Sequence, residues 1–409
     1  MLSVFVLAVV FFLIAVRRIG KFSIKIWQAM LLGAIAVLAT GQISILSAVN
    51  AINLDVIFFL FGMFVVGAAL EESGYLSHLE YKFFKRAKNL DELVFGVIFV
   101  AGFSSAILMN DTLAVIGTPV VLLLARNHCF SPKALLLALA FGVTIGSLMS
   151  PIGNPQNLLI ALKGKMSDPF IDFFSVLFVP TMLNLVIAFL VLKFFYREEF
   201  HCIPLKHSQE PVRDHQLAVI SKASLLLLIA LVFLKILLVF SHSGIDFSLT
   251  YIALGAAMPV LLFSKKRHLI IKKIDWATLV FFAAMFVLMQ SVWDSGFFQQ
   301  FLKENSISSI PMILVSSVIL SQLISNVPLV ALYLPLLVQA GASQKAMLAL
   351  AAGSTIAGNM LILGAASNVI IIQNAEKKGY TISFWEFSRI GIPLTIINIA
   401  IYWFFLSMA

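Results

Sequence analysis

The chain has little charge, little cysteine and no nucleotide-binding signature, and each shortage removes a class of function. Asp, Glu, Lys and Arg make up 11% of its 409 residues, against 61% hydrophobic ones. A soluble domain carries about 25% charged residues. The two cysteines, Cys129 and Cys202, fall in loops expected on the cytoplasmic side, so neither a disulfide nor a thiolate metal site is implied. The seven His (His78, His128, His201, His207, His215, His242 and His268) lie in expected loops, and none pairs with another at metal-ligand spacing on a span. That argues against an intramembrane metalloenzyme. Without a P-loop, an ATP-driven pump would need a partner protein. The formal charge of +9 reflects basic cytoplasmic loops and does not call for a nucleic-acid partner.

What the chain has is apolar length. Runs near 20 residues, enough to cross a bilayer as helix, recur throughout, near 1–16, 24–41, 54–70, 134–162, 171–195, 217–240, 247–263, 276–292, 346–373 and 390–408. The first run is followed, not preceded, by Arg17, Arg18, Lys21 and Lys25. This is the reverse of a secretory signal, and the run is read as a retained span with its N-terminus outside. The expected class is an all-α polytopic membrane protein.

Two further stretches, 93–125 and 307–340, are about 33 residues each, long for one span and short for two. Each has a polar break in its middle, at Asn110-Asp111 and at Ser325-Asn326, and a proline soon after, Pro119 and Pro335. If both leave the membrane on the side they entered, nearly all 28 basic residues fall on one side. Only Lys163, Lys165, Lys303 and Lys345 lie on the other, and Lys235 lies within a span. Such a bias is the positive-inside signal. It places both termini outside a membrane expected to be the plasma (inner) membrane. The bias does not separate a re-entrant hairpin from two full crossings, but the length of the two stretches favours hairpins. Irregular backbone at that depth survives only inside protein or beside a water-filled cavity.

An internal repeat organises the rest. Leu54-Asp55, Met63-Phe64-Val65 and Ser73-Gly74 are echoed by Ile274-Asp275, Met285-Phe286-Val287 and Ser295-Gly296. Asn110 and Pro119 align with Asn326 and Pro335 at an offset of 216, and Thr144, Gly153 and Asn157 with Thr355, Gly364 and Asn368 at 211. Each repeat then holds five spans and one hairpin. Because five is odd, the second copy is inverted. The first repeat is expected over 1–195, with hairpin 93–125 and broken helix 134–162. The second covers 217–409, with hairpin 307–340 and broken helix 346–373. The cytoplasmic linker, 196–216, carries His201, His207 and His215. Inverted repeats whose broken helices meet near the midplane are the plan of a secondary transporter.

Four elements carry the candidate chemistry. They are the two tips, Asn110-Asp111-Thr112 and Ser325-Asn326-Val327, and the two Gly- and Pro-rich breaks, 142–157 and 353–368. Broken helices free carbonyls that suit Na⁺ and N-termini that suit an anion. The substrate candidates are Asn110, Asp111, Thr112, Asn157, Ser325, Asn326 and Asn368. The cation-coupling candidates are Asp111, Thr144, Gly153, Asn154, Thr355, Asn359, Gly364, Ala365 and Ser367. Na⁺ is the only metal considered, and no other cofactor is implied. The competing readings are close helix packing for the Gly and Ser and a helix cap for Asp111. Asp55 and Asp275 open their spans and read as caps, and Lys235 is expected to snorkel to the interface.

These elements resemble the ion transporter superfamily, in its arsenite-pump and sodium/proton-antiporter (ArsB/NhaD) and citrate-transporter-like branch. The run from Gly358-Asn359 through Gly364-Ala365-Ala366-Ser367-Asn368 to Lys377-Lys378-Gly379 carries the resemblance most specifically. Gly153-Asn154-Pro155-Gln156-Asn157 is similar to a sodium-side loop of divalent-anion/sodium symporters. The resemblance implies a substrate held between the tips, a homodimer and an elevator-like movement. Those symporters have Ser-Asn-Thr on both tips. Here Asp111 would repel a di- or tricarboxylate unless protonated or paired with Na⁺. The acidic tip is closer to the arsenite-pump type, although no cysteine lies near to bind arsenic. The resulting expectation is a secondary active transporter of a small anion or oxyanion, coupled to H⁺ or Na⁺. The alternatives are a Na⁺/H⁺ antiporter and, more narrowly, an arsenite efflux permease.

Overall fold

The computed structural model describes the chain except residues 1, 17, 20, 21, 129, 165, 167, 199, 201–211, 241–247, 298–308 and 409. Cys129, Cys202, His201, His207, His242, Lys165, Lys303 and most of the expected linker therefore lie outside the described residues. Among the described residues the regular structure is helical, apart from one antiparallel pairing of the two-residue strands Arg18–Ile19 and Phe22–Ser23. Among the described residues, six helices are long and apolar enough to cross a membrane: Leu54–Ser73, Leu90–Leu108, Pro169–Phe195, His215–Lys235, Trp276–Asp294 and Phe384–Met408.

The chain folds into two compact units, and each draws on both halves of the sequence. One comprises Met1–Lys82 and Ser208–Gln300. Its helices Leu2–Val16, Ile26–Ala39 and Leu54–Ser73 come from the first half, and His215–Phe240, Leu249–Phe263 and Trp276–Asp294 from the second. Asp275 caps its helix as expected, accepting from the Thr278 N–H at 3.2 Å and from the Thr278 hydroxyl at 2.7 Å. Asp55 does not. Asn53 caps that helix, and Asp55 Oδ1 accepts from the Thr250 hydroxyl at 3.0 Å. Lys235, expected at the interface, is 6% exposed.

The other unit comprises Phe83–His207 and Phe301–Ala409, and one order of elements occurs in it twice. A hairpin, Leu90–Leu108 and Asn110–Asn127, leads to a broken helix, Lys133–Gly146 and Pro155–Lys163, and then to a long helix, Pro169–Phe195. A second hairpin, Ile310–Ile324 and Asn326–Gln339, leads to Gln344–Met360 and Ala366–Lys377, and then to Phe384–Met408. The arms of the first hairpin are longer than the sequence suggests, 19 and 18 residues.

Burial follows from these sequences. On Pro169–Phe195, Phe173, Leu177, Leu185 and Leu192 are buried at helical spacing while Phe174, Leu183, Leu190 and Phe194 are exposed. An exposed apolar face of this kind belongs against lipid. In contrast, every residue from Ala134 to Gly146 and from Ala346 to Asn359 is buried, so the broken helices are surrounded by protein. Glycine permits part of this. A Cβ on Gly142 would lie 2.9 Å from the Ile98 carbonyl oxygen, and one on Gly353 2.8 Å from that of Leu314. These are the same positions in both hairpins, so the packing reading holds for these two glycines.

Candidate functional site

The second unit brings together both tips and both breaks. In each hairpin the first arm ends because one residue turns to positive φ: Met109 at +69° and Ser325 at +70°. The surrounding bonds match. The Met109 N–H reaches the Ser105 carbonyl at 3.1 Å, and Ser325 that of Ser321 at 3.0 Å. The carbonyls of Met109 and Ser325 accept from Leu113 and Leu329, both at 3.2 Å. Each second arm therefore starts inside the fold, with the positive end of its dipole at the tip.

At the first tip, the Asn110 N–H donates to the Gly153 carbonyl at 2.9 Å, tying the tip to the first break. The Asn110 side-chain oxygen accepts from the Asp111 N–H at 2.9 Å. Asn110 and Thr112 are buried. Asp111 Oδ1 is buried and has no hydrogen-bond partner among the described residues. It therefore makes no cap through that oxygen, and leaving it unpaired costs about 1–3 kcal/mol. The dipole of the arm it opens returns roughly 0.3–1 kcal/mol. At the second tip, Asn326 is buried with Oδ1 unpartnered, and Val327 stands where the first tip has Asp111.

The first break runs through a short 3-10 turn, Ser147–Met149, to Pro155, which cannot donate a backbone bond and opens the next helix. Asn154 caps that helix by accepting from the Asn157 N–H at 2.8 Å. The Asn154 amide donates to Ser147 Oγ at 3.0 Å and to Thr355 Oγ1 at 3.1 Å. Gln156 Nε2 donates to the same Thr355 oxygen at 3.3 Å, and the Thr355 hydroxyl donates to Asn157 Oδ1 at 3.2 Å. Asn157 Nδ2 holds the Ser147 and Ser150 carbonyls, at 3.3 and 3.1 Å. Thr355 and Asn154, both expected as cation ligands, are thus engaged within the protein.

The second break is less filled. Asn368 Nδ2 donates to the Gly358 carbonyl, and Ala365 and Thr144 flank Gly358. Among the described residues, Thr144 Oγ1, Ser367 Oγ, Asn368 Oδ1 and Asn359 Oδ1 are buried without partners. Asn359 Nδ2 donates to Asn398 Oδ1 at 3.0 Å, and Asn398 Nδ2 to Asn184 Oδ1 at 2.7 Å. This ladder anchors the break to both long helices. Gly364 lies against the Ala357 carbonyl and Gln322 Oε1.

Sequence reading missed Gln322, Gln156, Asn184 and Asn398. Gln322 Nε2 holds the Ala357 carbonyl at 2.8 Å from one turn before the second tip. A lone amide inside each long apolar helix was the available signal for Asn184 and Asn398. No Lys, Arg or His occurs in 101–118, 140–157, 317–334 or 351–372. No three His, Cys, Asp or Glu cluster to hold a metal among the described residues. The site therefore consists of neutral oxygens and amides, four helix N-termini and one carboxylate.

Paired broken helices and hairpin tips in a many-span helical protein define a membrane transporter. Residues 9–347 match the citrate transporter family (CitMHS), and the chain belongs to that family. It is 27% identical over 421 residues to an uncharacterized transporter of Mycobacterium bovis, covering 98% of this chain and 95% of the relative. It is 28% identical over 439 residues to the silicon efflux transporter LSI3 of Oryza sativa subsp. japonica, covering 91% and 90%. With the P protein of Homo sapiens it shares 24% over 466 residues, covering 90% of this chain and 56% of that one. Among solved structures, the YdaH transporter of Alcanivorax borkumensis aligns at a TM-score of 0.46 and 15% identity, covering 99% and 96%.

Proposed function

We propose that this integral membrane protein is a secondary active transporter of a small anion or oxyanion, driven by H⁺ or Na⁺. The observation that carries the reading is the meeting of two like hairpin tips and two broken helices in one unit, with Asp111 as the single tip charge. Asn110, Thr112, Asn157, Ser325, Asn326 and Asn368 are the substrate candidates, and helix N-termini supply the positive potential that an anion needs. The resemblance of the motifs supports an elevator-like movement of the unit holding both tips, and a homodimer. The basic-loop bias supports a plasma-membrane protein with both termini outside. No enzymatic activity is assigned.

The charges of the site favour one substrate class. A fully ionised tricarboxylate would meet Asp111 and no cationic side chain. A weak oxyacid, the class to which the silicon cargo in the rice relative's name belongs, would not suffer that repulsion. Arsenite is one such candidate. The test is uptake into proteoliposomes of arsenite, silicic acid, phosphate, sulfate, citrate and succinate, with Na⁺ and pH gradients imposed separately. Gradient-driven accumulation of one of them is expected, and equilibration without accumulation would overturn the reading. The unpartnered Asp111 Oδ1 also favours a second reading, Na⁺/H⁺ exchange, which predicts pH-dependent sodium flux with none of these substrates present.

A further inference from the structure

The two breaks are built on one plan, and among their differences are the two side chains whose amides close on Thr355. At the offset of 211, Thr355 corresponds to Thr144, Asn157 to Asn368, and Ser147 to Gly358. The bond from Asn157 Nδ2 to the Ser147 carbonyl has its counterpart in that from Asn368 Nδ2 to the Gly358 carbonyl. The two amides that close on Thr355 have no counterparts. Asn154 is replaced by Ala365 and Gln156 by Ser367. On the second side, Thr144 Oγ1, Ser367 Oγ and Asn368 Oδ1 are left buried and unpartnered among the described residues. Thr144 and Ala365 flank Gly358, Asn368 holds its carbonyl, and Ser367 immediately precedes Asn368 in the chain.

We propose that Thr144, Ser367 and Asn368 form the one monovalent-cation site of the broken-helix pair, its repeat-related position being closed by the side-chain amides of Asn154 and Gln156. The inference rests on the coupled-transport reading above and adds which side binds, and that only one does. An amide NH₂ presents positive hydrogens to an oxygen, as a cation would. At Thr355 that demand is met by hydrogen bonds from the chain's own amides, and at Thr144 it is open. The open set is two hydroxyls and an amide carbonyl, all neutral and all hard oxygen donors. Divalent Ca²⁺ and Mg²⁺ take carboxylates, and none of the three residues supplies one. A Na⁺-sized monovalent ion fits the donor chemistry.

The test uses the full chain in nanodiscs, with NaCl titrated against choline chloride at constant ionic strength and the melting temperature as readout. Na⁺ should raise Tm along a single-site curve. Thr144→Val and Ser367→Ala should weaken the apparent affinity at least about tenfold, while Thr355→Val leaves it within about twofold, whatever its effect on the Tm without Na⁺. Ala365→Asn with Ser367→Gln transplants the missing amides and should abolish the Na⁺ response in a protein that still melts cooperatively. The isosteric Thr144→Val keeps the test available should the double variant not fold. No response to Na⁺ in the parent protein, a two-site curve, or an equal loss in Thr355→Val would overturn the proposal. Accumulation driven by a proton gradient and indifferent to Na⁺ overturns it too, but leaves the transport reading standing. An intact Na⁺ response without coupled flux does the opposite.

Discussion

Met109 and Ser325, 216 positions apart, hold nearly the same backbone: φ +69° with ψ 146°, and φ +70° with ψ 160°. This region belongs essentially to glycine and costs other residues about 1–3 kcal/mol. Ser325→Gly removes that strain and loses little burial, so the Tm of the purified protein should rise. Met109→Gly removes the same strain but deletes a side chain that is 3% exposed, at about 1.5–3 kcal/mol. Its Tm should stay level or fall. Thermal melts of the two variants side by side check the contrast.

Much of the helical order was legible in the sequence because membrane spans are written as apolar runs. The polar breaks at Asn110-Asp111 and Ser325-Asn326 marked both tips. The division into compact units was not legible, because each unit takes elements from both halves and chain order does not report packing. The Asp55 cap was misread because Asn53, two residues earlier, is a competent cap and Thr250 comes from a distant helix. The contrast between Thr355 and Thr144 was invisible for the same reason: the amides of Asn154 and Gln156 act across 201 and 199 positions.

Asp111→Asn keeps the shape of the first tip and removes its charge. If the carboxylate couples transport, accumulation in proteoliposomes should fall at least about tenfold, the equivalent of roughly 1.4 kcal/mol, or persist only as downhill exchange. The variant should still fold, since Oδ1 holds no protein group among the described residues. Gradient-driven uptake equal to that of the parent would remove Asp111 from the mechanism.

Asp214 and Lys266 form an ion pair at 2.7 Å outside the spans. The Leu217 N–H, donating to Asp214 Oδ1 at 2.9 Å, and then Lys266 hold the Asp214 pKa below the usual carboxylate value. Asp214, through its hydrogen bond, raises that of Lys266. The lowered Asp214 value contributes stability present above about pH 4 and lost as pH falls through it. The raised Lys266 value contributes stability present below about pH 10 and lost as pH rises through it. Between those limits the pair should add no pH dependence to Tm. Asp214 also caps the helix beginning at His215, so Asp214→Ala should lower Tm more than Lys266→Ala, and Asp214→Asn should restore most of the difference. Equal effects of the two alanine variants would show that the cap contributes nothing.

The ladder from Asn359 through Asn398 to Asn184 joins the second break to both long helices, and its middle member is the sensitive one. Asn398→Leu leaves the Asn359 donor and the Asn184 acceptor without the partners they have now. Each buried group so orphaned costs about 1–3 kcal/mol, although hydrogen bonds between membrane helices average nearer 0.6 kcal/mol. A loss of about 1–3 kcal/mol in unfolding free energy is expected for Asn398→Leu. Asn184→Leu alone leaves only the Asn398 amide unmatched and should cost less. In the double variant the Asn184 acceptor is gone together with its donor, so the two losses should sum to more than is measured. Unfolding of the four proteins in a double-mutant cycle reads that coupling directly. Strict additivity would mean that the three amides do not act as one ladder.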